Sequence, residues 1–162
     1  MSRCVGSMWQ PRGMPHPVRT ARREELGAVL EAYEWLFAAP GSVPALWDRE
    51  QARATLEWTL AAEDATVLVV AGDDGLAGFC TVAIDLRSVR YGRRAWVEDL
   101  AVDPAHRSGG VGKALLDAAK EWARDHGATH LELDSGDARP DAHRFYEREQ
   151  PSWTSRCFAW AL

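Results

Sequence analysis

Residues 96–127 read WVEDLAVDPAHRSGGVGKALLDAAKEWARDHG: an apolar strand, a short glycine-rich loop and an amphipathic helix in direct succession. The loop is Arg107-Ser108-Gly109-Gly110-Val111-Gly112-Lys113. The start of a helix leaves backbone N–H groups without intrahelical partners, and the macrodipole adds partial positive charge there. Glycines allow positive φ and let a ligand approach the backbone closely. The stretch therefore predicts a diphosphate or similar anion seated on the loop. The spacing excludes two common phosphate loops. There is no GxxxxGK[ST], and Leu115 stands where GxGxxG would place its third glycine.

Composition narrows the class. With 162 residues, 46% of them hydrophobic, the chain is long enough to bury its own core. A net charge of −5 argues against nucleic acid as a partner. No apolar run approaches the ~18 residues of a membrane span, so no membrane partner is expected. Three scattered cysteines, Cys4, Cys80 and Cys157, fit reduced thiols of a cytoplasmic protein rather than a disulfide framework or a metal site. Cys80 and Cys157 have apolar strand neighbours and are expected to be buried. Residues 1–15, rich in proline and glycine, are expected to be a mobile lead-in to a single domain over 16–162.

A short strand is expected at His16–Thr20, then a helix over Ala21–Ala38 ended by Pro40-Gly41. A second helix, Arg49–Glu63, is capped by Asp48. Trp35, Trp47 and Trp58 fall in or beside this pair, as packing residues or as an aromatic wall for a cationic substrate. A meander follows: strands Thr66–Ala71, Leu76–Leu86 and Ala95–Val102, joined by turns at 72–75 and 87–94. Simple alternation in the third strand puts Trp96, Glu98, Leu100 and Val102 on one face and Val97, Asp99 and Ala101 on the other. A buried carboxylate pair is costly, so at least one of Glu98 and Asp99 must face solvent, a cation or a cleft. The helix Val111–His126 ends at Gly127, strand Thr129–Ser135 completes a parallel βαβ-like unit, and Pro140 opens a helix to about Arg148. A strand over Ser152–Ala161 is expected to close the chain.

Arg107-x-x-Gly110-x-Gly112, preceded by DLAVDP (99–104) and followed by AHRFYERE (142–149), resembles motif A and its flanks in the GCN5-related N-acetyltransferase (GNAT) family. The resemblance runs from about residue 16 to the end. It implies an α/β fold with a mixed, mostly antiparallel twisted sheet of about 6–7 strands, about four flanking helices and a splayed parallel strand pair at the cofactor site. It implies acetyl-CoA as acyl donor, with no metal. The backbone of Leu100, Ala101 and Val102 would run beside the pantetheine. Arg107, Ser108, Gly109, Gly110, Val111, Gly112, Lys113 and Ala114 would hold the pyrophosphate, and Arg139 and Phe145 would add coenzyme contacts. Tyr146 would be the general acid for the departing thiolate. Two departures bear on this set: Arg139 stands where many members have Asn, and Gln150-Pro151 where Gly-Phe is common.

The implied reaction moves an acetyl group directly from thioester to amine, since no Ser or Cys nucleophile sits beside a base. A protonated amine must lose a proton before or during attack. Candidate bases are Glu98 acting through a water, then Asp134, twelve residues before Tyr146, with Asp99 as the alternate of Glu98. Each has a competing role as partner for Arg87, Arg90, Arg93 or Arg94. The acidic residues suit a small cationic acceptor. Two other readings stand beside this one: a non-catalytic acyl-CoA-binding or regulatory module, and an enzyme acting on protein or peptide amines. A homodimer through the final strand or exposed tryptophans is compatible with the sequence.

Overall fold

In the computed structural model the structure describes residues 16–160, so the expected lead-in at 1–15 and Cys4 lie outside the described residues. Five strands form one sheet in the order β1-β2-β3-β4-β5. They are β1 (Val18–Thr20), β2 (Ala65–Gly72), β3 (Gly75–Ser88), β4 (Gly92–Val102) and β5 (His130–Glu132). The first three junctions are antiparallel and β4–β5 is parallel. Helices α1 (Leu26–Ala32), α2 (Glu34–Phe37) and α3 (Arg49–Ala61) cover one face, and α4 (Val111–Asp125) covers the other. A short α5 (Pro140–Arg148) follows β5, its inner residues such as Phe145 and Tyr146 half-buried. The single helix expected over 21–38 is a 3-10 turn at Arg23–Glu25 followed by α1 and α2, which meet at Tyr33.

Burial follows from the pattern of the strands. In β2 the run Val67–Val70 is apolar on both faces because helices cover both. Val67 and Val69 pack under α1 and α3, and Leu68 and Val70 pack under α4. Helix α4 buries Val111, Leu115, Leu116, Ala118, Ala119, Trp122 and Ala123 as one stripe. Close approach of α4 to β3 depends on Gly78. A Cβ there would lie 2.9 Å from the Ala101 carbonyl oxygen, Leu115 Cδ1 and Val111 Cγ1.

Four expectations are corrected. The alternation of β4 fails because Thr81 pairs with Asp99 while Val82 pairs with Val97, leaving Glu98 as a bulge. One extra residue inverts the faces beyond it. Leu100 and Val102 therefore join Ala95 and Val97 on the α4 side, and Ala101 turns to the α1 side.

The closing strand at 152–161 does not form within the described residues: 151–160 are all exposed and carry no ladder. Gln150 adopts φ 54°, turning the chain as it leaves α5, and Pro151 has no N–H to give. Trp153 instead stacks on Tyr91, with centroids 5.6 Å apart, beside His130. The described sheet accordingly has five strands rather than six or seven. Cys157 is exposed, whereas Cys80 is buried as expected.

Candidate active site

Parallel pairing between β4 and β5 covers only Arg94–Trp96 against His130–Glu132. Beyond Trp96 the two strands part, and the β4 edge is left open. The Asp103 N–H donates to the Ala77 carbonyl and the Asp99 N–H to Thr81 Oγ1, so the polar groups of 99, 101 and 103 face β3. By alternation, those of Leu100 and Val102 face the gap. This is the arrangement expected for an added strand-like ligand. Ala101, included in the expected contact set, presents neither backbone nor side chain to the gap: its side chain is buried against α1 and α3.

The glycine loop follows a 3-10 turn (Pro104–His106) capped by Asp103. Ser108 takes φ 62° and Gly110, the N-cap of α4, takes φ 90°. These left-handed residues turn successive peptides into an anion-binding concavity. The Ala114 amide already closes the first helical bond, to the Gly110 carbonyl at 3.0 Å, so the free amides of the first turn are those of Val111, Gly112 and Lys113. Ala114 is thus packing rather than cradle, and is buried. Charged side chains around the loop are partly occupied. Lys113 Nζ is held by Asp117 at 2.8 Å and Glu149 at 3.0 Å, and Arg107 Nε donates to the Val102 carbonyl at 3.4 Å. Phe145 reaches from α5 to the loop, its ring 3.6 Å from where a Cβ of Gly112 would stand. The open β4 edge, the free amides and the turned loop fit an extended thioester coenzyme with a diphosphate.

Beside the gap opens a cleft of about 980 Å³, lined among others by Tyr33, Trp47, Glu98, Asp99, Asp134 and Tyr146. Glu98 is exposed there because the bulge turns it out of the ladder, and Trp96 Nε1 donates to its Oε2 at 2.7 Å. None of the arginines near it in sequence holds it in place: Arg94 bonds Asp85 and Glu132 instead. Asp134 lies exposed across the cleft, and its carboxylate pushes the pKa of the exposed Cys157 thiol up.

Asp99 is inward. Its Oδ2 accepts from Tyr33 Oη at 2.6 Å and from Thr81 Oγ1 at 3.5 Å. Burial raises its pKa, the Tyr33 hydrogen bond opposes that, and the charge of Glu98 adds to it. Tyr33, within the helix expected over 21–38, is the main addition to the site. Its ring lies 5.4 Å from that of Trp47 and 6.0 Å from that of Phe37, giving one aromatic wall. Trp47 and Trp58 line the cleft, and Trp35 packs against the core.

Tyr146 also lines the cleft. Burial pushes its phenol up to about 12, with Cys80 and Asp134 adding and Arg139 opposing. Arg139 points across the fold: its Nη2 donates to the Leu36 carbonyl at 2.7 Å, tying the residue before α5 to α2. His130 pairs with Glu132, and His143 Nε2 lies 3.1 Å from the Ser135 carbonyl.

Comparison with known proteins agrees with this geometry. The model of the acetyltransferase (GNAT) family matches residues 29–150, and the chain belongs to that family. An uncharacterised N-acetyltransferase of Bacillus subtilis (strain 168) is 48% identical over 59 residues, 36% of this chain and 42% of that protein. The streptothricin acetyltransferase of Streptomyces lavendulae is 34% identical over 87 residues, 54% of this chain and 44% of that one. These matches span less than half the length of each relative. Among solved structures, the aminoglycoside N-acetyltransferase AAC(6')-Iy in complex with CoA aligns with TM-score 0.77 at 20% identity, covering 94% of this chain and 97% of that one. A putative acetyltransferase from Agrobacterium tumefaciens aligns with TM-score 0.73 at 25% identity, covering 90% and 99%. The fold expected from the resemblance is the fold observed, with the strand count corrected.

Proposed function

We propose that the chain is an acetyl-CoA-dependent N-acetyltransferase that acts on a small cationic amine within a ternary complex. The observation that carries this reading is that the open edge of β4, Tyr146 and Glu98 meet at one cleft. Acyl donor and amine can then approach from two sides of the same point. The amine nitrogen attacks the thioester carbonyl carbon, and a C–N bond replaces the C–S bond. Glu98, directly or through water, takes the amine proton. Tyr146 donates its own to the departing sulfur; a phenol is protonated across the neutral range at its ordinary value, and burial pushes this one further up, to about 12. Amides 110–113 and Arg107 bind the diphosphate, and Phe145 packs beside them. Asp134 is the second base, and Lys113 contributes through its amide.

A cationic acceptor is favoured by Glu98, Asp99 and Asp134 around the cleft, together with the wall of Tyr33, Phe37 and Trp47. Streptothricin and aminoglycoside acetyltransferases among the related proteins support the same class. We further read residues 16–162 as one domain working in the cytoplasm. We read the β5 edge and the exposed Trp153 and Trp160 as a surface for a homodimer, checked by light scattering. Free-thiol release from acetyl-CoA across a panel of polyamines, aminoglycosides and peptides tests the function. We expect release with a small polycation. Coenzyme binding without release from any amine would favour the non-catalytic module, and release only with peptides would move the acceptor class.

A further inference from the structure

The two glycines at the centre of the loop form a Gly–Gly peptide, Gly109–Gly110, that can take either orientation. Gly109 and Gly110 carry no Cβ to oppose either orientation, and the peptide between them is planar and trans. Its C=O and N–H point in opposite directions, so fixing one fixes the other. The structure holds the carbonyl from outside the motif: His16 Nε2 lies 2.5 Å from the Gly109 oxygen, across 93 residues of sequence. A carbonyl accepts only, so Nε2 carries the proton in this contact. The imidazole is itself placed by the fold. It stands two residues before β1, whose Val18 pairs with Val70 and is buried in the core against α4. The ring also lies 3.6 Å from where a Cβ of Gly110 would be, beside the left-handed residue that opens the helix. Other basic side chains near the loop are engaged elsewhere: His106 with Asp103, Arg107 with the Val102 carbonyl, Lys113 with Asp117 and Glu149.

We infer that His16 is a positioning residue that latches the Gly109 carbonyl outward and so turns the Gly110 N–H into the diphosphate cradle. Without the latch the Gly109–Gly110 peptide can rotate and present a carbonyl oxygen to the diphosphate, exchanging an attractive dipole for a repulsive one. This inference rests on the coenzyme reading given above. It concerns binding of the diphosphate end alone and makes no demand on the acetyl-transfer step.

The test is calorimetric titration of the full chain, as wild type, His16→Ala and His16→Gln, with CoA and with pantetheine, which has no diphosphate. The glutamine amide nitrogen can replace Nε2 as donor to the same carbonyl. We expect His16→Ala to weaken CoA about tenfold, the scale of one hydrogen bond to a charged group. Pantetheine binding should stay unchanged, and His16→Gln should lie within about threefold of wild type for CoA. Unchanged CoA affinity in His16→Ala, equal losses for CoA and pantetheine, or no recovery in His16→Gln would each overturn the latch. A folded wild type that fails to bind CoA would overturn the coenzyme reading itself, a distinguishable result.

Discussion

In the proposed reaction two residues divide the chemistry: Tyr146 as proton donor, its phenol pKa pushed up by partial burial, and Glu98 as base, turned outward by a bulge and oriented by the Trp96 indole. Replacing Tyr146 by Phe removes only the hydroxyl, so we expect kcat to fall about a hundredfold with KM for acetyl-CoA little changed, measured by thiol release. Because its pKa is raised to about 12, an alkaline limb of activity below pH 10 would belong to another group. Glu25 illustrates the opposite shift. Bonds from Arg19 at 2.7 Å and from Arg22 hold its carboxyl down at about 2 against an ordinary 4.5. A depressed carboxylate stabilises the fold fully above the ordinary value and loses that contribution as pH falls through about 2. Glu25→Gln should therefore cost about 1 kcal/mol at pH 7, after allowance for solvent screening. The cost should vanish near pH 2, read by urea denaturation at both pH values.

At the scale of elements, the strand–loop–helix unit was the most legible part of the sequence. Its signals are local: glycines at the turn, an apolar stripe at helical spacing, a glycine at the end. The bulge at Glu98 was not legible, because the segment VEDLAV carries no glycine and the extra residue shows only against β3. The same holds for Tyr33 with Asp99, 66 residues apart, and for Arg139 on the Leu36 carbonyl, 103 apart: tertiary packing alone brings them together. The apolar alternation around Phe158 and Trp160 reads as a strand, yet the turn at Gln150-Pro151 leaves that segment without a ladder. The placement of α4 rests on a missing side chain. Gly78→Ala would press a methyl into Val111, Leu115 and the Ala101 carbonyl, lifting the first turn of the helix. We expect a loss of about 1–3 kcal/mol by chemical denaturation, accompanied by weaker CoA binding because the free amides move with that turn.

Over the whole molecule, charge and shape act together. In the proposed function, a net charge of −5 and carboxylates around a cleft of about 980 Å³ would draw a cationic acceptor toward the thioester. For a polycationic acceptor, KM should rise severalfold between about 0.02 and 0.3 M salt, since screening shortens the reach of those charges. The KM for acetyl-CoA, set by amides and shape, should change less. No helix among the described residues is long and apolar enough to cross a membrane. The sheet, α4 and the parted β4–β5 pair together leave an open strand edge and a turned loop, the two features that the proposed coenzyme would span. The most direct measurement is a calorimetric titration of the folded protein with acetyl-CoA. We expect saturable one-to-one binding in the micromolar range, abolished when a bulky side chain replaces Gly110 at its positive φ. A folded wild type that binds neither acetyl-CoA nor CoA would contradict the proposed function.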